Sequence, residues 1–294
     1  GIFFGAFRLF FMHPKVCGFP SESMLGVNPV EIWPEFGLRL RSATATFGVD
    51  FTNFDASKPP RLEEMCCEIV NEWYAENTPY DNATLAIHNR IRKTLWYEFC
   101  HTTHIYESLV YTSHCGFKSG VPVGFTTIGN VLANKCLQRM AFVETTRKHP
   151  SQFPSFVQTL NMGDDNQQWL IRNPENITEL YNRITFAEFC KKIGMTVTSP
   201  DKVSKLTPFD NFKDVTFMKQ SLCDAVIPGV YLPAMSPMTI GNLLNWYRPA
   251  GGPKQLEENM NNALTFSVAH GRTYFNKVKA AILANPKVNV LQPK

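Results

Sequence analysis

Two adjacent carboxylates, Asp164 and Asp165, follow Gly163 in a short segment between two largely apolar runs. A Gly-Asp pair between such runs predicts a β-hairpin with the acids at its tip. No Lys or Arg stands within several residues of the pair, and two like charges side by side are costly unless a cation binds them. The pair therefore predicts a magnesium site, although Asp and Asn also favour turns for conformational reasons alone.

A second acid stands in an alternating stretch earlier in the chain. Residues 47–51, FGVDF, alternate with period two, which predicts a strand that carries Asp50 on the face opposite its apolar side chains. Asp55 follows two turn formers and is expected beyond the strand end, near the same rim. Asp55 or Ser57 also fits the cap of the helix that follows two prolines and runs to about Glu76, and the two roles are compatible.

Polar side chains recur every fourth residue at Thr126, Asn130 and Asn134. This spacing places them on one face of a helix that is otherwise apolar. A solvated face is the alternative, but Asn and Thr are poor helix formers, which favours a row that faces a substrate. The preceding loop, residues 118–124, contains two glycines that allow close backbone approach to a ligand.

The remaining pattern predicts the elements that position these residues. Further helices are predicted over residues 31–40, 81–96 and 176–193, the last of them ending at Gly194, and three more follow from Ser236 to about Ala284. Strands are predicted around residues 97–112, at residues 195–198 shortly before Lys202, and in a hairpin that pairs residues 214–219 with residues 226–232. A domain boundary is expected near residue 234.

Length, charge and cysteine usage limit the class of protein. The chain has 294 residues and a net charge of +4, which fits about two domains and permits a nucleic-acid partner without requiring one. The 8 cysteines include no C-x-x-C pair and no secretory segment precedes them, which predicts reduced thiols in a cytosolic compartment. No run of about twenty apolar residues is present, so no membrane span is predicted. A zinc site is the alternative for a cluster whose spacing fits no standard pattern, namely Cys100, His101, His104, His114 and Cys115.

Taken in order, these stretches resemble the motifs of the viral RNA-dependent RNA polymerases, most closely the picornavirus-like ones. Motifs A, B and C resemble residues 50–57 (DFTNFDAS), 120–134 (GVPVGFTTIGNVLAN) and 162–165 (MGDD). Motifs D and E resemble residues 194–202 (GMTVTSPDK) and 217–221 (FMKQS), and residues 26–29 (GVNP) resemble a segment upstream of motif A. Five motifs in this order are specific where a single one is not.

The resemblance implies an α+β fold: a polymerase palm with an antiparallel sheet flanked by helices, partial fingers and a helical C-terminal thumb. Residues 1–46 would form a fingers remnant and the entry to the palm, residues 47–233 the palm with a fingers insertion at about 77–118, and residues 234–294 the thumb. The family's basic motif F is expected before Gly1. The chain is therefore expected to be a fragment that is inactive without its missing fingers.

The resemblance also implies an RNA-directed RNA polymerase, a nucleotidyltransferase that uses two-metal-ion catalysis. Asp50 and Asp164 would bridge two Mg²⁺ ions, for which Mn²⁺ is an alternative, and Asp165 would support them. Lys202 would be the general acid toward pyrophosphate. Substrate binding would fall to Asp55, Thr126 and Asn130 at the ribose 2′-hydroxyl, to Ser119, Gly120 and Gly124 in the motif B loop, and to Lys219 at the primer strand.

The implied partners are an RNA template, a primer or product strand, nucleoside triphosphates and other replicase proteins of the same polyprotein. The implied setting is the replication of a positive-strand RNA virus. The expected location is the host cell cytoplasm, at membrane-associated replication complexes.

Three positions depart from the family's pattern. Val123 replaces the serine of the motif B loop, so that this serine is lost or its role passes to Ser119. Met162 stands where tyrosine is commonest in motif C, a change that leaves the acids intact. Gln220 replaces a basic residue of motif E, which removes one of its two contacts to the primer strand.

Two rival functions are compatible with part of this pattern. A reverse transcriptase shares the palm acids, but Asp55 disfavours it, because an enzyme that uses deoxynucleotides tends to block the 2′-hydroxyl with a bulky group. A non-catalytic RNA-binding relic of a polymerase is the rival of another class. The intact acids Asp50, Asp164 and Asp165 argue against that rival. Val123 and Gln220 leave it open.

Overall fold

The structure, a computed structural model, describes residues 3–12, 22–112, 125–171, 176–200, 202–224, 229–245 and 252–284. Its α-helices are α1 (Gly5–Met12), α2 (Pro29–Ser42), α3 (Phe54–Ser57), α4 (Pro60–Asn77), α5 (Asn82–Cys100), α6 (Phe125–Thr146), α7 (Phe153–Phe156), α8 (Ile177–Leu180), α9 (Arg183–Lys192), α10 (Pro237–Asn245), α11 (Gly252–Ser267) and α12 (Gly271–Leu283). Its β-strands are β1 (Ala45–Phe51), β2 (Thr103–Tyr106), β3 (Leu109–Thr112), β4 (Val157–Met162), β5 (Asp165–Leu170), β6 (Val197–Thr198), β7 (Thr216–Phe217), β8 (Gln220–Asp224) and β9 (Tyr231–Met235).

The chain divides into two compact units. The first comprises Gly1–Val27 and Ala43–Asp210, and the second comprises Asn28–Ser42 and Asn211–Lys294. None of the helices in the described ranges has the length and apolar character needed to cross a membrane.

The first unit is built on a four-stranded antiparallel sheet with the strand order β4-β5-β1-β6. Strands β4 and β5 form a hairpin whose register ends with Met162 opposite Asp165. Strand β1 pairs with β5 up to Val49 opposite Asn166. The prediction of an antiparallel sheet with the acidic pair at a hairpin turn is therefore confirmed.

Helix α6 lies at the centre of this unit, and nearly all of residues 128–138 are buried. Its sequence is apolar on almost every side, which is typical of a helix surrounded by other elements. The helix packs against α4, α9 and β4, and the ring of Phe142 contacts the rings of Phe153 and Tyr181. These packed side chains support the sheet.

Side chains hydrogen-bond the backbone of β1 along the part of its outer edge that the short strand β6 does not cover. Strand β6 pairs only with Asp50 and Phe51. At Gly48 the backbone N–H donates to Asp210 Oδ2 at 2.9 Å, and the carbonyl accepts from Arg183 Nε at 2.7 Å. Arg183 and Asp210 also form a largely buried ion pair. Because unpaired buried backbone groups are costly, this pair takes the place of a neighbouring strand.

The single helix predicted over residues 176–193 is wrong in one respect, because the structure divides it into α8 and α9. Asn182 lies between them and caps α9: its Oδ1 accepts from the backbone N–H of Ile184 at 2.9 Å and of Thr185 at 3.2 Å. Thr185 Oγ1 in turn accepts from the Asn182 N–H at 3.0 Å, so the local capping overrides the continuous amphipathic pattern. Gly194, with φ of +85°, follows the end of α9 as predicted.

The second unit contains a three-stranded sheet with the order β7-β8-β9. The predicted pairing of residues 214–219 with residues 226–232 is wrong: β7 pairs with β8, with Phe217 opposite Gln220, and β8 pairs with β9. Residues 226–228 lie outside the described residues. Met218 and Lys219 form the two-residue turn with φ of 54° and 60°, the positive values that a type I′ turn requires. The sequence did not indicate this turn because it lacks the usual Asn-Gly pair.

Helix α2 packs on β9 within this unit. Trp33 Nε1 donates to the Ser221 carbonyl at 3.3 Å, and Arg41 Nη1 donates to the Tyr231 hydroxyl at 2.9 Å. Gly37 lies directly against the Tyr231 ring, since a Cβ atom there would lie 2.3 Å from Tyr231 Cδ2. The predicted C-terminal helices are confirmed as α10, α11 and α12, and their shared core is Ile240, Met260, Ala263, Val278 and Ile282.

Gly37→Ala should lower the free energy of unfolding by about 1–3 kcal/mol, the usual cost of forcing extra atoms into a packed site. Gly241→Ala in α10 is the matched control, because a Cβ there meets nothing within 4 Å and Ala is the better helix former. Urea unfolding of both variants measures the difference. Equal stability of the two variants would mean that α2 does not approach β9 this closely.

Candidate active site

Asp50 lies near the end of β1, where its carboxylate is buried against a lysine. Only 6% of the residue is exposed. Its Oδ1 accepts from the backbone N–H of Phe51 at 2.8 Å, and its Oδ2 lies 2.8 Å from Lys202 Nζ. A carboxylate with so little contact with water needs a positive partner, and Lys202 supplies the charge.

Asp164 and Asp165 stand at the hairpin turn and at the first position of β5. Because Val49 lies opposite Asn166 in the antiparallel pair, the next step of the register places Asp50 beside Asp165. Side chains at opposed positions of neighbouring strands point to the same face of the sheet. The structure therefore brings the predicted acids to the same end of two adjacent strands.

Lys202 reaches this end of the sheet from the turn that follows β6. Its backbone N–H donates to the Ser199 carbonyl at 2.8 Å, and its φ is +60°, a left-handed conformation that is uncommon for lysine. The hydrogen bond to Asp50 raises the pKa of the Lys202 ammonium, and the negative charges of Asp50, Asp164 and Asp165 raise it further. One ammonium group is therefore under the influence of all three carboxylates.

The donor chemistry of these acids suits a hard divalent cation, since Mg²⁺ is bound through carboxylate oxygens. In the part of the chain that the structure describes, no three His, Cys, Asp or Glu side chains converge closely enough to hold a metal ion. Asp50 Oδ2 is bonded to the Lys202 ammonium instead. Metal binding at Asp50 therefore requires that the ammonium move away from this oxygen, and the assignment of Asp50, Asp164 and Asp165 as metal ligands stays a prediction.

Asn134 of α6 holds the hairpin turn in place. Its Nδ2 donates to the carbonyls of Asp164 at 3.0 Å and Gly163 at 3.4 Å, and its Oδ1 accepts from Asn166 Nδ2 at 3.1 Å. The residue is fully buried, so the prediction that it belongs to a substrate-facing row is wrong. Its amide, with separate donor and acceptor ends, is needed to join the turn to the strand that follows.

The chain of amides continues through the sheet. Asn166 Oδ1 accepts from Gln168 Nε2 at 3.0 Å, and Gln168 Oε1 accepts from the Tyr181 hydroxyl at 2.6 Å. All three side chains are buried. Sequence reasoning missed this network, although the consecutive amides of residues 166–168, NQQ, indicate it, because buried polar side chains in a strand must find partners.

Among the residues predicted to bind the ribose, Asn130 contacts a buried lysine. The side chain retains 9% exposure, and its Oδ1 accepts from Lys58 Nζ at 2.7 Å. Asp55 lies in α3, three residues before Lys58, and both Asp55 and Thr126 are half-buried. The Lys58 contact thus joins the segment that carries Asp55 to the helix that carries Thr126 and Asn130. No sequence pattern indicated Lys58, because fully buried lysines are rare.

The remaining predicted site residues are distributed as follows. Ser119, Gly120 and Gly124 of the motif B loop, and His114 and Cys115 of the zinc alternative, lie outside the described residues. Lys219 lies in the second unit, in the turn between β7 and β8.

These elements together define a known class of fold. The structure is similar to the Sicinivirus 3Dpol RNA dependent RNA polymerase, with a TM-score of 0.68 and 19% sequence identity. The similarity covers 89% of this chain and 50% of that chain. It establishes the fold, so the predicted polymerase architecture with its antiparallel sheet and flanking helices is confirmed.

A family model described as "Viral RNA-dependent RNA polymerase" matches residues 1–285, and the chain belongs to this family. The genome polyprotein of Deformed wing virus is 28% identical over 262 residues, which cover 88% of this chain and 9% of the polyprotein. The genome polyprotein of human hepatitis A virus genotype IA (isolate GBM) is 29% identical over 276 residues, 92% of this chain and 11% of the polyprotein. The chain therefore spans a small part of each polyprotein that it matches.

Asp50→Asn should lower the pKa of Lys202, because it removes the charged acceptor of the ammonium and the largest source of the upward shift. The measurement is a pH titration of isotope-labelled lysine side chains by NMR, with Lys202→Arg to assign the signal. Asp165→Asn is the matched control and should lower the pKa less, since Asp165 acts on the ammonium through charge alone. An unchanged Lys202 titration in Asp50→Asn would contradict the ion pair.

Proposed function

We propose that this chain is the palm and thumb region of an RNA-directed RNA polymerase that transfers nucleotides from nucleoside triphosphates to an RNA 3′-hydroxyl on an RNA template. The observation that carries the proposal is that Asp50, bonded to Lys202, and the turn with Asp164 and Asp165 lie at the same end of two adjacent strands in a polymerase fold. Membership of the viral family and similarity to genome polyproteins support a role in the replication of a positive-strand RNA virus.

Asp50, Asp164 and Asp165 would hold two Mg²⁺ or Mn²⁺ ions. The residues fit this role in charge and in donor type: a buried Asp50 oxygen already bonds a cationic group, and two half-buried acids stand on the adjacent turn. When bound, such a pair of ions stabilises both the attacking and the leaving oxygen of a phosphoryl transfer. The chain itself contributes the fixed positions of the three carboxylates.

Lys202 would act as the general acid. A general acid must carry a proton and lie within reach of the leaving group. Lysine is protonated at neutral pH, and the Asp50 carboxylate raises the pKa of the Lys202 ammonium further. Loss of this contact would lower the pKa of Lys202 and make its proton easier to release. The Asp50 contact would therefore delay proton release until the lysine is displaced from Asp50.

Asp55, Asn130 and Thr126 would form the site that recognises the ribose 2′-hydroxyl. The Lys58 contact with Asn130 brings the segment of Asp55 to helix α6, which also carries Thr126. A site built to hydrogen-bond a hydroxyl rejects an analogue that lacks it, because its own polar groups are then left unpaired. This chemistry favours ribonucleotides as substrates.

The regional assignment follows the family's motifs. Residues 1–46 would be a fingers remnant and palm entry, residues 47–233 the palm with its fingers insertion, and residues 234–294 the thumb. The motif B loop with Ser119, Gly120 and Gly124 would contact the template and nucleotide, and Lys219 the primer strand. Other replicase proteins of the same polyprotein would be partners at membrane-associated replication complexes in the host cytoplasm.

Asp164→Asn, introduced into the complete polymerase that contains this chain, should abolish nucleotide addition and leave folding intact. The change removes one negative charge at the turn but keeps the Asp164 carbonyl that Asn134 binds. Primer extension with Mg²⁺ and a thermal melt measure the two effects, and Asp214→Asn, at an exposed acid of the second unit, is the control that should extend normally. Substantial extension by Asp164→Asn would remove this residue from the proposed metal site.

Asp55→Ala and Asn130→Ala should reduce the efficiency of nucleotide addition more for ribonucleotides than for deoxynucleotides. We expect the ratio of ribo- to deoxynucleotide efficiency to fall by about fivefold to tenfold. This fall corresponds to the free energy of one hydrogen bond of ordinary strength. Single-nucleotide addition with matched ribo- and deoxynucleoside triphosphates gives the ratio of the two efficiencies. Equal losses for both sugars would mean that these side chains support the architecture and do not read the sugar.

A further inference from the structure

Lys58 is a buried cation directly after the motif A stretch of residues 50–57. Only 1% of the residue is exposed. Its ammonium nitrogen lies 2.7 Å from Asn130 Oδ1 and 2.6 Å from Glu63 Oε1, and 5.2 Å from the centre of the Phe54 ring. The lysine therefore joins the end of α3, the first turn of α4 and the second turn of α6 at one point.

The ammonium determines which way the Asn130 amide is turned. A side-chain amide has an oxygen that accepts and a nitrogen that donates, whereas an ammonium group can only donate. The end of the Asn130 amide that faces Lys58 must therefore be the oxygen. The opposite end is the Nδ2 group, which makes no hydrogen bond to any residue that the structure describes and belongs to a side chain that keeps 9% exposure. A ligand that approached this end of the amide would meet two N–H donors.

Glu63 maintains this orientation of the Asn130 amide. An unpaired buried charge is costly, so the Lys58 ammonium would not stay at this point without a negative partner. The Asn130 amide could then rotate about its last side-chain bond, which has no strong preference of its own, and present its oxygen to the ligand. The Glu63 carboxylate, which is buried and also accepts from Trp96 Nε1 at 3.3 Å, lies 2.6 Å from the ammonium and balances its charge.

We propose that Lys58, ion-paired with Glu63, is a positioning residue for sugar selection: it fixes the Asn130 amide with its NH2 group as the donor to the 2′-hydroxyl of the incoming nucleotide. The inference rests on the proposed polymerase function and on the ribose role of Asn130. It adds that the selectivity of Asn130 depends on a buried ion pair that does not itself touch the nucleotide.

The test uses Lys58→Met/Glu63→Gln in the complete polymerase, because removing both charges avoids leaving one of them buried and unpaired. The measured quantity is the ratio of ribo- to deoxynucleotide addition efficiency with matched triphosphates. We expect this ratio to fall by about fivefold to tenfold, since the donor orientation of Asn130 is no longer imposed. In an Asn130→Ala background the same double change should leave the ratio unaltered, because Lys58 acts through Asn130.

The matched control is Arg183→Met/Asp210→Asn, which removes another buried ion pair of the same unit at a place that bonds Gly48 and does not touch Asn130. It should lower both efficiencies alike and keep the ratio. Thermal melts show whether each variant is folded. If Lys58→Met/Glu63→Gln does not fold, Lys58→Gln/Glu63→Gln takes its place: its amide both donates and accepts, so it also no longer dictates the orientation, and the ratio should again fall.

The outcomes separate this inference from the function on which it rests. Absence of nucleotide addition by the unmodified complete polymerase would remove the proposed function. A fall in the ratio for Asn130→Ala combined with an unchanged ratio for the folded Lys58/Glu63 variants would overturn the inference alone. A further fall caused by the Lys58/Glu63 change in the Asn130→Ala background would also overturn it, because the pair would then act by a different route.

Discussion

Three negatively charged side chains lie at one end of the sheet, and the fold must balance their charge. Asp50 cannot lie buried beside Asp164 and Asp165 unless a positive charge is present. Lys202 supplies that charge, and the two partners differ in freedom: the Lys202 side chain is 66% exposed, whereas that of Asp50 is 9% exposed. Asp50 is therefore enclosed by the fold, whereas its cation is largely in contact with solvent. The proposed metal site depends on this difference, because the lysine would have to give way to the metal ion.

The hairpin that carries two of the acids is held by polar contacts inside the core. Asn134 binds the carbonyls of the turn, and Asn166, Gln168 and Tyr181 continue the chain of hydrogen bonds. Burial raises the pKa of Tyr181 well above its ordinary value, and the phenol donates to Gln168 Oε1. A buried polar network rigidifies a core when its members are paired. Here it couples the position of the turn to α6 and to the chain between α8 and α9.

The acids of the proposed site were largely predictable from the sequence, whereas the residues that hold them in place were not. Asp50 followed from period-two alternation and Asp164 and Asp165 from a turn between apolar runs, because local patterns specify strands and hairpins. The break at Asn182 and the tight turn at Met218 escaped prediction, since capping and positive φ values depend on a few local contacts that periodicity does not record. Lys58 escaped because its partners, Glu63 and Asn130, are supplied by tertiary packing, as are those of Asn134.

The proposed metal site is tested most directly by anomalous diffraction from Mn²⁺ in crystals of the complete polymerase with RNA and an incoming nucleotide. Manganese is expected in direct contact with carboxylate oxygens of Asp50 and Asp164, with the Lys202 ammonium displaced from Asp50. A complex that is competent for nucleotide addition yet keeps the Lys202 contact at Asp50 and shows no manganese beside these carboxylates would contradict it.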